Sequence, residues 1–184
     1  MRITGGEFRG RKINVPAKGT RPATDRVREA VFSSILPLIA EAEVLDLYAG
    51  SGSYGFEALS RGAKHCTFIE AHRHAMKTLE GNAQLLKLKS TDYKCITMDA
   101  LPFCSQNRNG FQPDIIFVDP PFDTLPESFE NTLRALEKGA MLREDSIIVF
   151  EVDSGIKSLE IPERFEVLRD KKYGTSRLMM MRFI

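Results

Sequence analysis

Long apolar runs are missing from this chain. None approaches the ~18 residues that span a bilayer. The N-terminus turns basic at its second residue and has no apolar h-region. Neither a membrane helix nor a secretory signal is therefore expected, and the reading is of a cytoplasmic protein. Cysteine is scarce. Cys66, Cys95 and Cys104 are odd in number and form no C-x-x-C pair, which excludes a disulfide frame and a zinc ribbon. Cys66 and Cys95 lie in apolar runs and read as small core residues. No His or Cys group has ligand spacing, so no metal site is expected. His72 and His74 stand two apart on an expected helix, share no face and read as surface residues, as does His65. No internal repeat and no low-complexity segment is present.

Net charge is nearly absent too, at +1 over 184 residues, but its distribution is uneven. Residues 1–28 hold eight Lys/Arg (Arg2, Arg9, Arg11, Lys12, Lys18, Arg21, Arg26, Arg28) against Glu7 and Asp25, a net +6, which leaves −5 for the remainder. A basic arm for a polyanion joined to a near-neutral body fits this asymmetry; a solvated hairpin that serves solubility is the competing reading. Apolar residues make up 42% of the chain, enough for one domain with a full core.

Residues 1–15 alternate loosely around Gly5-Gly6 and Gly10 and are expected to form a short β-hairpin. Residues 16–24 read as a linker. A helix is expected from Thr24, its N-cap, with Val27, Val31 and Ile35 on one face and Pro37 ending or kinking it. Residues 1–40 thus form a basic appendage and residues 41–184 the body. In the body, strands and helices alternate. Strands are expected at Val44–Tyr48, Cys66–Glu70, Tyr93–Met98, Ile115–Val118 and Ile147–Val152. Helices are expected at Tyr54–Ser60, 72–88 and 126–138, with Ala75, Leu79 and Leu86 buried on the second. Two late runs, Phe165–Leu168 and Leu178–Phe183, flank Tyr173-Gly174 and read as a terminal antiparallel pair. The pattern is that of an α/β fold with a mostly parallel, right-handed sheet. Met179-Met180-Met181 is expected to pack in the core.

Acids end four successive strands: Asp46 (inside the first), Glu70, Asp99 and Asp119. Open α/β sheets bind ligands at those strand ends. After the first strand, Gly50, Gly52 and Gly55 satisfy G-x-G-x-x-G, and Glu70 follows Gly50 by 20 residues, where a ribose-binding acid stands in dinucleotide enzymes. Asp46, however, would repel a diphosphate and suits a cationic ligand; the alternative is a turn- or helix-capping carboxylate. Asp99 is either an acceptor for an adenine amine or the N-cap of the following helix. Asp119-Pro120-Pro121-Phe122 follows a strand with a rigid, acceptor-only surface. The two prolines remove two donors, the Asp119 carboxylate and Pro120 carbonyl accept, and Phe122 adds an aromatic face. Such a site suits a planar group bearing NH2, such as a nucleobase amine.

On these residues the chain resembles the class I S-adenosylmethionine-dependent methyltransferases, through D-x-x-x-G-x-G (Asp46–Gly52), Glu70 and D-P-P-F. It more closely resembles the bacterial 16S ribosomal RNA guanine-N2 methyltransferases of the RsmD type. Arg2–Gly6 with Arg9-Gly10-Arg11, Arg21–Glu29, Asp46–Gly52, Glu57–Ala63, D-P-P-F and Lys172-Tyr173-Gly174 carry that resemblance over nearly the whole chain. Departures are Tyr48 for Phe, Ser51 for Thr and Ala23 for Thr. Residues 103–112 match nothing.

The resemblance implies a Rossmann-like, seven-stranded sheet with a small N-terminal hairpin and helix. It implies S-adenosyl-L-methionine as cofactor, held by Asp46, Tyr48, Ala49, Gly50, Ser51, Gly52, Glu70, Asp99 and Ala100. The catalytic group would be Asp119, Pro120, Pro121 and Phe122. RNA would meet Arg2, Arg9, Arg11, Lys12, Arg21, Arg26, Arg28 and Lys172. The implied partner is 16S rRNA within a small ribosomal subunit or an assembly intermediate, and the chain is expected to act as a monomer. An adenine-N6 methyltransferase, an RNA-binding assembly factor without catalysis and an NAD-dependent oxidoreductase are the competing functions.

Overall fold

Seven strands form one sheet in the order β3-β2-β1-β4-β5-β7-β6. A computed structural model describes residues 1–16, 24–107, 109–121, 127–156 and 158–184. The strands are β1 (Glu43–Leu47), β2 (His65–Glu70), β3 (Tyr93–Thr97), β4 (Ile115–Val118), β5 (Ile147–Asp153), β6 (Phe165–Tyr173) and β7 (Ser176–Phe183). The helices are α1 (Asp25–Ile39), α2 (Ser53–Ser60), α3 (Arg73–Leu86), α4 (Ala100–Ser105) and α5 (Glu127–Lys138). β1 pairs in parallel with both β2 and β4, and β4 with β5. β7 then runs antiparallel between β5 and β6. The fold is the expected α/β, Rossmann-like one.

Continuous apolar runs such as Ile115–Val118 form strands because both sheet faces are covered, so the two-residue side-chain period divides one run between two cores. Val44, Phe68, Phe117, Val149 and Met180 face α1, α2 and α3. Leu45, Leu47, Ile116, Val118, Phe150 and Met181 face α4 and α5. Met179–Met181 are core residues, as expected. The first core contains a stack. The Arg61 guanidinium lies 4.5 Å over the Phe32 ring, Phe32 lies 5.5 Å from Phe117, and Phe117 stacks on Tyr54 at 5.1 Å and 15°. Each such ring pair contributes about 0.5–1.5 kcal/mol beyond its area, and together they lock α1 and α2 onto β4.

Thr24 caps α1 as expected, its Oγ1 accepting from the Val27 N–H at 3.3 Å. Pro37 neither ends nor marks the limit of α1: the helix passes through it to Ile39. A proline removes one helix hydrogen bond, but Ile35 and Ile39 on either side are wholly buried, and their packing holds the last turn. The segment expected as a hairpin over residues 1–15 closes antiparallel through one bridge, Arg2 with Lys12, and flanking bonds such as Ile3 N–H to the Arg11 carbonyl at 2.9 Å. Its residues Ile3, Phe8 and Ile13 are buried in the same core as α1 and β2. The last two strands extend beyond the runs expected. In β6 the polar stretch Arg169–Tyr173 remains in the ladder because an edge strand buries little and β7 supplies its partners. Asn107 ties down its neighbours: its amide donates to the Phe111 and Gly139 carbonyls at 2.9 and 3.1 Å and its Oδ1 accepts from the Phe111 N–H.

Candidate active site

Strand order reverses at β1, whose two neighbours are β2 and β4. The crevice above the carboxyl ends of β1 and β4 is therefore the switch point where such sheets bind ligands. Pairing Asp46 with Phe117 and with Phe68 places Asp46, Glu70 and Asp119 on one face. That face is the one covered by α1, α2 and α3.

The glycine loop is held from two sides by acids. The Glu70 carboxylate accepts from the Gly50 N–H at 2.8 Å with one oxygen and from the His72 N–H at 2.7 Å with the other. The Asp46 carboxylate accepts from the Gly55 N–H at 2.9 Å, which places it over the first turn of α2, the positive end of the helix. Asp46 thus takes up the capping role read as its alternative. Burial outweighs that hydrogen bond, and with the Glu70 charge nearby the Asp46 carboxyl is pushed up to about 8. Ser51 is fixed from behind, its carbonyl accepting from the buried Asn82 amide at 3.0 Å. The same amide accepts from and donates to the Asn14 backbone. Gly55 has a physical reason to be glycine: a Cβ there would run into Phe68 and Cys66. Gly52 sits at φ 78° in the left-handed region, and Tyr48 does so at φ 60° without being glycine. Strain of that kind gathers at functional turns. The Tyr48 hydroxyl lies 3.4 Å from the Thr132 hydroxyl of α5.

Asp99 occupies the N-cap position of α4, yet its side chain makes no capping hydrogen bond and it is exposed. Ala100 is buried as the first residue of that helix. Asp119 is half-buried. Burial, then the charge of Glu151, then that of Asp46 raise its carboxyl well above the ordinary carboxylate range. Pro120 is buried and Pro121 is exposed. Phe122 lies outside the described residues.

Glu151 and its partners were not among the residues singled out from sequence. Because Val118 pairs with Phe150, the next residues along, Asp119 and Glu151, stand side by side. Glu151 is buried. Its two oxygens accept from the Tyr54 hydroxyl and the Ser176 hydroxyl, each at 2.6 Å. The Tyr54 hydroxyl is raised well above its ordinary value by burial, Glu151 and Asp119. The available signal was an acid inside the apolar run Ile147–Val152. Its meaning depended on strand register, which periodicity does not give.

The basic N-terminal residues divide into two groups. Arg2, Arg9, Lys12 and Arg26 are exposed, and so is Lys172 on β6. Arg28 is not part of that surface. It is fully buried, donates to the Arg2 carbonyl at 2.8 Å and to Asp25 at 2.6 Å, and lies 3.7 Å from Glu57. Its Nε and Nη1 have no hydrogen-bond partner among the described residues. A buried guanidinium cannot meet a phosphate at the surface, so the expectation that Arg28 contacts RNA is corrected. Arg11 is half-engaged: its guanidinium donates to the Leu86 carbonyl at 3.0 Å and to the Leu85 carbonyl, closing the C-terminus of α3, where cations are favoured. Arg21 lies outside the described residues. Glu57 ties the N-terminal segment to α2. It accepts from the Thr4 N–H at 2.7 Å and the Thr4 hydroxyl at 3.0 Å, and is paired with Arg61.

No group of His, Cys, Asp and Glu able to hold a metal occurs among the described residues. No helix among them is long and apolar enough to cross a membrane.

Comparison with known proteins covers nearly the whole chain. The family profile described as Conserved hypothetical protein 95 matches residues 1–182. The chain is 39% identical over 177 residues to the Ribosomal RNA small subunit methyltransferase D of Escherichia coli strain K12, covering 95% of this chain and 85% of that one. To the protein of the same name from Haemophilus influenzae it is 38% identical over 175 residues, covering 95% and 89%. The solved structure of the Escherichia coli candidate methyltransferase yhhF superposes with a TM-score of 0.87 at 36% identity, covering 100% of this chain and 97% of that one.

Proposed function

The chain belongs to the Conserved hypothetical protein 95 family, and from that premise we propose that it is an S-adenosylmethionine-dependent ribosomal RNA methyltransferase. Its target is the exocyclic N2 amine of a guanine in 16S RNA of the small subunit. The observation that carries this reading is the acceptor-only corner of Asp119 and the Pro120 carbonyl at the β1/β4 switch point.

The donor chemistry of the site fits the cofactor. The strand ends present carboxylates and not Lys or Arg, which suits a ligand that is cationic and lacks phosphate. Asp99, exposed and unused as a cap, is left to accept from an adenine amine. Glu70 and Asp46 hold the glycine loop so that backbone meets ligand. When bound, S-adenosylmethionine supplies a methyl group on a positively charged sulfur. A nucleobase amine is a poor nucleophile because its lone pair is delocalised into the ring. Asp119 and the Pro120 carbonyl accept its two N–H bonds, turn the lone pair out of conjugation and stabilise the positive charge that grows on nitrogen. Holding both reactants in line contributes up to about 7–11 kcal/mol in well-oriented pairs. The target base enters this corner only unpaired or flipped.

Arg2, Arg9, Lys12 and Arg26 give the exposed charge that positions the RNA backbone without reading sequence. The working substrate is the small-subunit particle or an assembly intermediate, the protein acts as a monomer, and its place of work is the cytoplasm. The test is transfer of labelled methyl from S-adenosylmethionine to undermethylated small subunits, beside naked 16S RNA, tRNA and DNA, with the modified nucleoside identified. N2-methylguanine in the ribosomal samples is the expected product. N6-methyladenine would replace the base assignment, and cofactor binding without transfer would make the chain a binding protein.

A further inference from the structure

Glu151 is a buried acidic residue inside the sheet that contacts neither reactant of the proposed transfer. We propose that Glu151 is a positioning residue for the transfer step: clamped by Tyr54 and Ser176 on the strand beside Asp119, it keeps a negative charge behind the Asp119 carboxyl and makes that carboxyl the acceptor of the proton the methylated nitrogen must lose. This rests on the reading of Asp119 as the group that faces the target amine.

The geometry is specific. Parallel register puts Asp119 and Glu151 abreast on adjacent strands and on one face. Both oxygens of Glu151 already accept a hydroxyl hydrogen bond, one from α2 and one from β7, and the residue is buried. It therefore does not touch substrate. Both oxygens of Glu151 are thus occupied by protein hydroxyls, and Asp119 is the carboxyl of the pair that borders the crevice. Among the described residues, the charged and titratable groups facing Asp119 are Asp46 from β1, Glu151 from β5 and Tyr54 from α2, with Arg28 of α1 acting on Tyr54. Of these, the carboxyls of Glu151 and Asp46 raise Asp119 further after burial has done so.

The proton balance gives this arrangement a purpose. The amine nitrogen forms the N–C bond as the C–S bond breaks with its electron pair on sulfur, which becomes neutral. The nitrogen is then cationic and must shed one N–H proton. A carboxylate of ordinary basicity is a weak acceptor, and one raised toward neutrality is a better one.

The experiment is the pH profile of kcat for the protein and its Glu151→Gln and Glu151→Asp variants, on the RNA that accepts methyl in the transfer test. Gln keeps the shape and an acceptor for the clamp but removes the charge. The acidic limb of its profile is expected to move down by about a unit and its plateau kcat to fall roughly 10-fold or more, with KM for cofactor and RNA unchanged. Glu151→Asp keeps the charge and is expected to restore the wild-type midpoint. An unmoved midpoint in Glu151→Gln, or a change confined to KM, makes Glu151 a packing residue and overturns the proposal. A second readout needs no Glu151 variant: carbon NMR of wild-type protein carrying labelled aspartate carboxyls. One resonance, lost in Asp119→Asn, is expected to titrate far above the ordinary 3.8, and titration near that value overturns the proposal. Failure of wild-type protein to methylate guanine would instead remove the function proposed above, so the two failures are distinct.

Discussion

The acidic strand ends and the basic N-terminal segment carry opposite charge but sort their residues by one rule. At the strand ends, Glu70 and Asp46 are consumed by backbone N–H groups of the glycine loop and of α2, while Asp119 is left at the crevice with its basicity raised. In the N-terminal segment, Arg28 is consumed inside the protein and Arg11 closes α3, while Arg9, Lys12 and Arg26 remain exposed. In both regions a residue type that reads as functional is partly scaffold. Whether a charged group builds the site or serves it depends on whether local backbone donors, acceptors and counter-charges already satisfy it.

That division is testable by substitutions whose effects should fall on opposite sides of it. The largest effect is expected at Asp119. Asp119→Ala should lower kcat by at least about 10³-fold, with cofactor affinity within a few-fold by calorimetry. Lost cofactor binding would move Asp119 to the scaffold side. Next is Glu57→Ala, which strips a buried arginine of its nearest buried carboxylate and unties Thr4 and Arg61. Breaking such a buried pair costs about 3 kcal/mol or more, read as a fall in the urea midpoint. A neutral result would show that the N-terminal segment is held by its apolar residues alone.

Asp46→Asn separates charge from capping. The wild-type carboxyl lies near 8 in the folded protein against 3.8 ordinarily. A raised acid contributes stability that is complete below the ordinary carboxylate range and is lost as pH climbs toward 8. The cofactor-free protein should therefore lose stability, on the order of a few kcal/mol, between pH 4 and about 8. Asn still accepts from the Gly55 N–H and should flatten that slope in denaturation at several pH values. An equal slope in both proteins would mean that Asp46 is not the group responsible. The smallest effects are expected in the basic segment. Arg9→Glu with Lys12→Glu should weaken RNA binding roughly 10-fold and flatten its salt dependence. Arg11→Ala should instead cost about 0.5–1 kcal/mol of stability with a smaller change in affinity. Equal losses of affinity in both would return Arg11 to the RNA-facing group.

Glu151 shows where sequence reading stops. An acid in the run Ile147–Val152 is visible as an exception, but nothing in the run names its partners. Tyr54 lies 97 residues away and Ser176 25 residues away. Arg28 shows the same limit from the other side. Its segment reads as a basic patch, and only the closure of α1 against α2 puts it beside Glu57.

The sequence by itself determined the alternation of strands and helices, the Thr24 cap of α1, the glycine turn and the acids at strand ends, because these follow from periodicity and short-range chemistry within a few residues. Tertiary structure alone decided which charges are buried, which hydroxyls clamp Glu151 and which arginines remain free. Those outcomes depend on strand order and register, which bring together side chains far apart in the chain. Burial then changes what each charge is able to do.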